Sequence, residues 1–151
     1  MQRLTDCIDV AFQSVICAPV ILALCVAMAA PSSAKNGCDA TQLTEVRSLA
    51  KLPTAIRHLL PRATRGPHGI ADRGGDFKVT DVVVDQNLPM RRFTLAAVGS
   101  SCALIAVEYG GIAHGFEVTE YGLTAGGWQL RWRRAVVREP SSVADLVKAT
   151  P

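Results

Sequence analysis

The rhythm of hydrophobic and polar positions changes several times along this chain, and each change marks a different kind of segment. From Val10 to Ala34 no residue is charged, and Val15–Ala30 reads VICAPVILALCVAMAA. Beyond that run, Leu43, Val46, Leu49 and Ala50 recur at steps of three and four, which predicts an amphipathic helix over Ala40–Lys51. Asp39 followed by Gln42 has the spacing of a helix start, and Pro53 ends the segment. Thr54 can cap a second short helix through Leu60, with Ile56, Leu59 and Leu60 on its apolar side and Pro61 as its stop. Residues Pro61–Asp76, PRATRGPHGIADRGGD, keep no period and read as a long loop.

From Phe77 onward the pattern turns to strands. Phe77–Asp85 carries Val79, Val82, Val83 and Val84, and Asn87-Leu88-Pro89 makes a turn. Arg92–Val98 and Cys102–Tyr109 are rich in strand formers, with Gly99-Ser100-Ser101 as a tight hairpin between them. Phe116–Tyr121 and Trp128–Arg133 alternate apolar and polar residues around a turn at Leu123–Gly127. Cys102–Tyr109 is apolar on both faces apart from Glu108, which places it centrally in a sheet. Ser141 or Ser142, after Pro140, can cap a short C-terminal helix over Val143, Leu146 and Val147. The expected fold is α+β: one or two N-terminal helices on one face of a four- to five-stranded antiparallel meander, with a short C-terminal helix.

The uncharged run sets the domain plan. Its 16-residue core suits an export signal better than a bilayer span, which needs about 20 residues. Ser32-Ser33-Ala34 offers small residues where a signal peptidase reads, so residues 1–34 are expected to leave and the mature domain to run from Lys35 to Pro151. Two alternatives remain: residues 10–30 persist as a membrane anchor, or Leu22-Ala23-Leu24-Cys25 serves as a lipid-attachment site. The expected location is periplasmic or extracellular.

Cysteine usage agrees with export. Cys7, Cys17 and Cys25 belong to the leader, and the remaining Cys38 and Cys102 are expected to form a disulfide. The segment from Lys35 on carries 15 Lys+Arg and 11 Asp+Glu, a net of +4. That balance favours an acidic surface or polymer mildly and gives no basis for nucleic-acid binding.

Few residues offer chemistry. His68, Asp72, Arg73 and Asp76 share a glycine-hinged loop and could serve a hydrolytic site, though Asx turns explain the carboxylates as well. Asp72 and Asp76 lack the ligand alternation of a calcium loop, and no metal site is expected. His114, between two strands, has Glu108 and Glu117 near it in sequence and could form an acid–base pair. Arg131, Arg133 and Arg134 with Trp128 and Trp132 form a basic-aromatic cluster. Strict alternation sends Arg131 and Arg133 to one face and the tryptophans to the other, where a nucleic-acid platform would need them together. Cross-strand pairing of Glu117 with Arg131 or Arg133, and of Glu108 with Arg91 or Arg92, accounts for these charges without a ligand; the alternative is an anion-binding stripe, with Arg131 and Arg133, and Arg73 on its loop, as binding candidates. His58 falls at the polar edge of its helix, Ser100 and Ser101 lack a nucleophile elbow, and Cys102 could react only if unpaired.

Dinucleotide, phosphate-loop, zinc-protease and paired-CxxC motifs are absent, so no cofactor is implied. The functional expectation is an exported, non-enzymatic binding or inhibitor-like module with an envelope or extracellular protein, or an acidic polymer, as partner. The alternatives are a small hydrolase using the His68–Asp76 loop and His114, and a membrane-tethered envelope accessory protein with no membrane contact beyond its N-terminal segment.

Overall fold

A five-strand meander with one short addition organises the protein. The computed structural model describes residues 38–62, 65–82 and 85–151. The leader, its cleavage position, the anchor at 10–30 and Cys25 lie outside the described residues, as do Val83 and Val84. The strands are β1 (Thr44–Val46), β2 (Ile70–Ala71), β3 (Arg91–Val98), β4 (Cys102–Tyr109), β5 (Gly115–Thr124) and β6 (Gly127–Val136). Their order is β1-β3-β4-β5-β6, antiparallel throughout, and β2 adds a short parallel pairing at the start of β3. Two short helices, α1 (Thr54–Arg57) and α2 (Val143–Lys148), complete the set, so the fold is a mostly-β form of α+β.

β4 is central, as its doubly apolar pattern requires. Its residues alternate between two cores. Ala103 and Ile105 pack with Leu49, Leu52, Ile56, Leu60, Ile70 and Phe93 on the face that carries α1. Leu104 and Ala106 pack with Leu95, Val118 and Leu146 on the face that carries α2. The helices therefore cover opposite faces, where the sequence pattern had placed them on one.

The expected first helix does not form. Asp39 accepts from the Thr41 backbone at 3.0 Å and caps a single 3-10 turn over Ala40–Gln42. The chain then extends as β1 against Ala96–Val98, and Ser48 caps another 3-10 turn over Leu49–Lys51. The reason lies in where the apolar residues go. Leu43 joins the α2-side core, whereas Val46 and Leu49 join the α1-side core. A helix would hold all three on one stripe, while an extended segment at the sheet margin can deliver them to opposite sides. β-branched Thr44 and Val46 suit that extended path. The second predicted helix is present but shorter, with Pro53 rather than Thr54 at its cap position.

The expected strand from Phe77 is also absent among the described residues of that stretch. Phe77 is buried, but Val79 and Val82 are exposed. Single bonds, Lys78 N–H to Pro89 C=O at 2.9 Å and Gly111 N–H to Val79 C=O at 3.1 Å, pin the segment in place of a ladder. It passes so close to Gly110 that a Cβ there would meet the Lys78 carbonyl oxygen at 1.5 Å.

Cys38 and Cys102 are bonded, with Cα atoms 5.6 Å apart, which ties the N-terminal extended segment to the start of β4. Beside them Glu120, 1% exposed, accepts from Arg131 Nη1 at 3.0 Å and Trp132 Nε1 at 2.8 Å. No described helix is long and apolar enough to cross a membrane.

β6 departs from strict alternation. Register slips by one residue between Glu120 and Tyr121 of β5, so Glu120 opposes Trp132 and Tyr121 opposes Leu130, leaving Arg131 as a bulge. Arg131 consequently reaches Glu120 on the α2 side. Arg133 reaches Glu117 and Tyr121 on the α1 side. The prediction that Arg131 and Arg133 share a face is thus overturned, and the tryptophans separate in the same way: Trp128 packs in one core and Trp132 in the other.

Candidate ligand cavity

The α1-side face of the sheet is not filled to its end. Odd-numbered residues of β4 and β5, Ile105, Val107, Tyr109, Glu117, Thr119 and Tyr121, point to this side because their even-numbered neighbours pack under α2. α1 is only four residues long, and Pro61 turns the chain away after Leu59 and Leu60. Between that short cover and the sheet remains a cavity of about 100 Å³, closed laterally by Ile70, Arg91 and Arg133. It is lined by apolar Leu60, Ile70 and Val107 and by the polar side chains of Arg91, Glu117, Thr119, Tyr121 and Arg133, of which Arg91 and Arg133 are exposed.

The polar rim is partly self-satisfied. Arg133 Nε lies 3.1 Å from Glu117 Oε1, and the Arg133 charge acts on the Tyr121 hydroxyl. Burial pushes the Tyr121 phenol up from its ordinary value, against the lowering pull of Arg133, so the hydroxyl stays neutral and keeps its proton to donate. Arg91, exposed at the mouth, pairs with no carboxylate among the described residues. Two open depressions adjoin the cavity. One, past Leu60 and Ile70, is bordered by Arg57, His58, Arg62 and Asp72; the other, past Arg91 and Tyr109, by His68 and Gly110.

The residues singled out from sequence are dispersed. Asp72 accepts from Ser48 Oγ at 2.7 Å and from the Leu49 backbone at 2.8 Å. Burial works to raise its pKa, but those bonds, one from the Arg73 backbone and the charge of Arg57 outweigh it and hold the carboxyl below the ordinary aspartate range. Arg73 has an exposed side chain, and Asp76 is exposed beside Arg65, Asp85 and Asn87. His68 borders one depression and His58 the other, both exposed. Ser100 and Ser101 are exposed hairpin residues, and Cys102 is held in its bond.

His114 does find Glu108, on the opposite face from the cavity. Glu108, 5% exposed, takes Arg92 Nε at 2.9 Å and Nη2 at 2.5 Å on one oxygen and His114 Nε2 at 2.7 Å on the other. Arg92 in turn lies 4.4 Å over the Phe77 ring, and His114 meets Phe116 edge-on. Glu117 serves Arg133 instead. Sulfurs 38 and 102 with Glu120 are the one group of metal-type ligand atoms that converges among the described residues, and those sulfurs are joined to each other.

The sequence offered Arg133, with Arg73 and Arg131, as a binding candidate, and of these only Arg133 lines the cavity; Tyr121, Thr119 and Arg91 were missed as cavity residues. The available signal was weak: Glu117, Thr119 and Tyr121 put three polar groups on a face that β4 leaves wholly apolar until Tyr109. No family model, curated protein or solved structure matches this chain.

Proposed function

We propose that this protein is an exported, non-enzymatic binding module, periplasmic or secreted, that receives its ligand in the cavity between α1 and the sheet. The observation that carries the reading is the cavity itself: a recess that apolar Leu60, Ile70 and Val107 line together with the hydroxyls of Thr119 and Tyr121 and the guanidinium groups of Arg91 and Arg133. Support for a binding role comes from how the reactive side chains are used. Glu117, Glu120, Asp72 and Glu108 are each engaged by cations, amides or hydroxyls of the fold. The Cys38–Cys102 bond supports an oxidising compartment.

Protein-observed NMR with a library of small fragments tests the reading. Amides of Ile105, Val107, Thr119 and Tyr121 are expected to shift together, and Val107→Phe to abolish the response by occupying the space. Fragments that shift residues elsewhere, or none at all, defeat it. Intact-mass analysis of secreted or periplasmic material tests the location: a chain beginning at Lys35 supports a shed leader, and one retaining residues 10–30 supports the tethered alternative.

A second reading, a hydrolase acting through His114, draws support from the 2.7 Å Glu108 contact that orients the imidazole. Asp72 contributes nothing to it, being committed to Ser48 and Leu49. Turnover of ester or amide substrates that His114→Ala eliminates would favour it.

A further inference from the structure

The charge around the cavity selects among ligands. The enclosed volume of about 100 Å³ is smaller than the roughly 150 Å³ apolar cavity that holds a benzene ring, so it suits a short alkyl group of about four carbons. Ile105, Val107, Leu60 and Ile70 provide no polar partner for that group. At the mouth, Arg133 is already neutralised by Glu117, whereas Arg91 stands on β3 with its guanidinium exposed and without an acidic partner. Its charge reaches the Tyr121 hydroxyl. The adjoining depression past Leu60 adds Arg57 and Arg62 against Asp72 alone. The opening therefore carries a surplus of positive charge next to a hydroxyl that can donate.

Resting on the binding-module reading above, we infer that the cavity takes a short-chain aliphatic carboxylate, its alkyl end against Leu59 and Val107 and its carboxylate on Arg91. Guanidinium and carboxylate match in planar, paired hydrogen-bond geometry, and the pair forms at the edge of the recess, where water competes less. A cation is repelled by the same rim. A neutral ligand of equal shape keeps the apolar contact but forgoes the charge-assisted bond.

The experiment compares analogues on the purified protein by NMR titration: 3-methylbutanoate, 3-methylbutanamide and 3-methylbutylamine, each against wild type and Arg91→Gln. Arg91 is exposed and outside both cores, so the variant is expected to fold. The acid is expected to bind about tenfold more tightly than the amide, with the shifts centred on Val107, Thr119 and Tyr121. Arg91→Gln is expected to erase that ratio while leaving the amide unchanged, and the amine to bind worst. Equal binding of acid and amide at the cavity overturns the assignment of a carboxylate and leaves the binding site standing. Failure of all three to shift cavity residues overturns the site as well. An acid preference that survives Arg91→Gln refutes the role given to Arg91.

Discussion

Opening the Cys38–Cys102 bond tests the frame on which the rest is hung. The two residues are 64 apart in sequence, so their bond closes a long loop in the unfolded chain. In the chain-entropy account a loop of that length stabilises the folded state by about 4 kcal/mol. For the compact unit Lys35–Pro151, about 117 residues at roughly 2.1 cal/mol/K each, the unfolding entropy near the midpoint is about 0.25 kcal/mol/K. Loss of the bond is therefore expected to lower Tm by about 15 °C. Cys38→Ala/Cys102→Ala avoids burying new hydroxyls beside Glu120, and urea unfolding of this variant should match that of the reduced wild type. Because the effect acts on the unfolded ensemble, amide shifts in the native state should change only near positions 38–43, 102 and 120. A loss under 1 kcal/mol would refute the loop-closure reasoning. So would widespread native-state shifts, since they would make the bond a determinant of folded geometry.

Three further perturbations probe other parts of the fold. Asp72→Ala removes the acceptor for Leu49 N–H and Ser48 Oγ and is expected to cost about 1–2 kcal/mol at pH 7 in urea unfolding. Because the folded carboxyl lies below its unfolded value, its stabilisation is present above the unfolded pKa and lost as pH falls through the folded one. The gap between wild type and variant should then shrink in acid, below the ordinary aspartate value, and a pH-independent gap would contradict this account. Gly110→Ala drives a Cβ into the Lys78 carbonyl and should lose about 2–3 kcal/mol; an unchanged Tm would mean that the crossing is not so tight. Leu146→Ala empties the centre of the α2-side core and should cost about 2–5 kcal/mol, with hydrogen exchange rising first in Val143–Lys148.

The meander from Arg91 to Val136 was legible in the sequence because each strand there has its own period and glycine-bearing turns. The doubly apolar run at Cys102–Tyr109 correctly marked the central strand. Ser142 marked the start of α2 through the same side-chain-to-backbone bond that the structure contains. Cross-strand pairing of opposite charges foretold Glu108 with Arg92, which lie directly opposite, and Glu117 with Arg133, which meet on the diagonal. The N-terminal segment misled because three-residue spacing is shared by a helix and by an edge segment serving two cores, and only tertiary pairing decides between them. Val79 and Val82 read as strand residues, yet their segment is held by single bonds at Lys78 and Val79 rather than by a ladder. A bulge has no signature in hydrophobic pattern, so the faces of Arg131 and Arg133 were out of reach. The cavity was harder still, since its lining comes from Leu59–Pro61, Ile70, Arg91, β4, β5 and Arg133 and exists only where α1 stops short.

Position 131 also bears on how copies of this protein meet one another. β6 runs ten residues along the outer margin with Leu130 half exposed, and fully exposed Val137 follows it. A straight margin of that length is a template on which a like chain could zip and begin a fibre. The surplus residue interrupts the even spacing of its free amides and carbonyls, and Arg131 and Arg133 project there to opposite faces of the sheet. Deleting Arg131 would straighten the margin and strip buried Glu120 of its cation in one step, so solubility and folding would fail together.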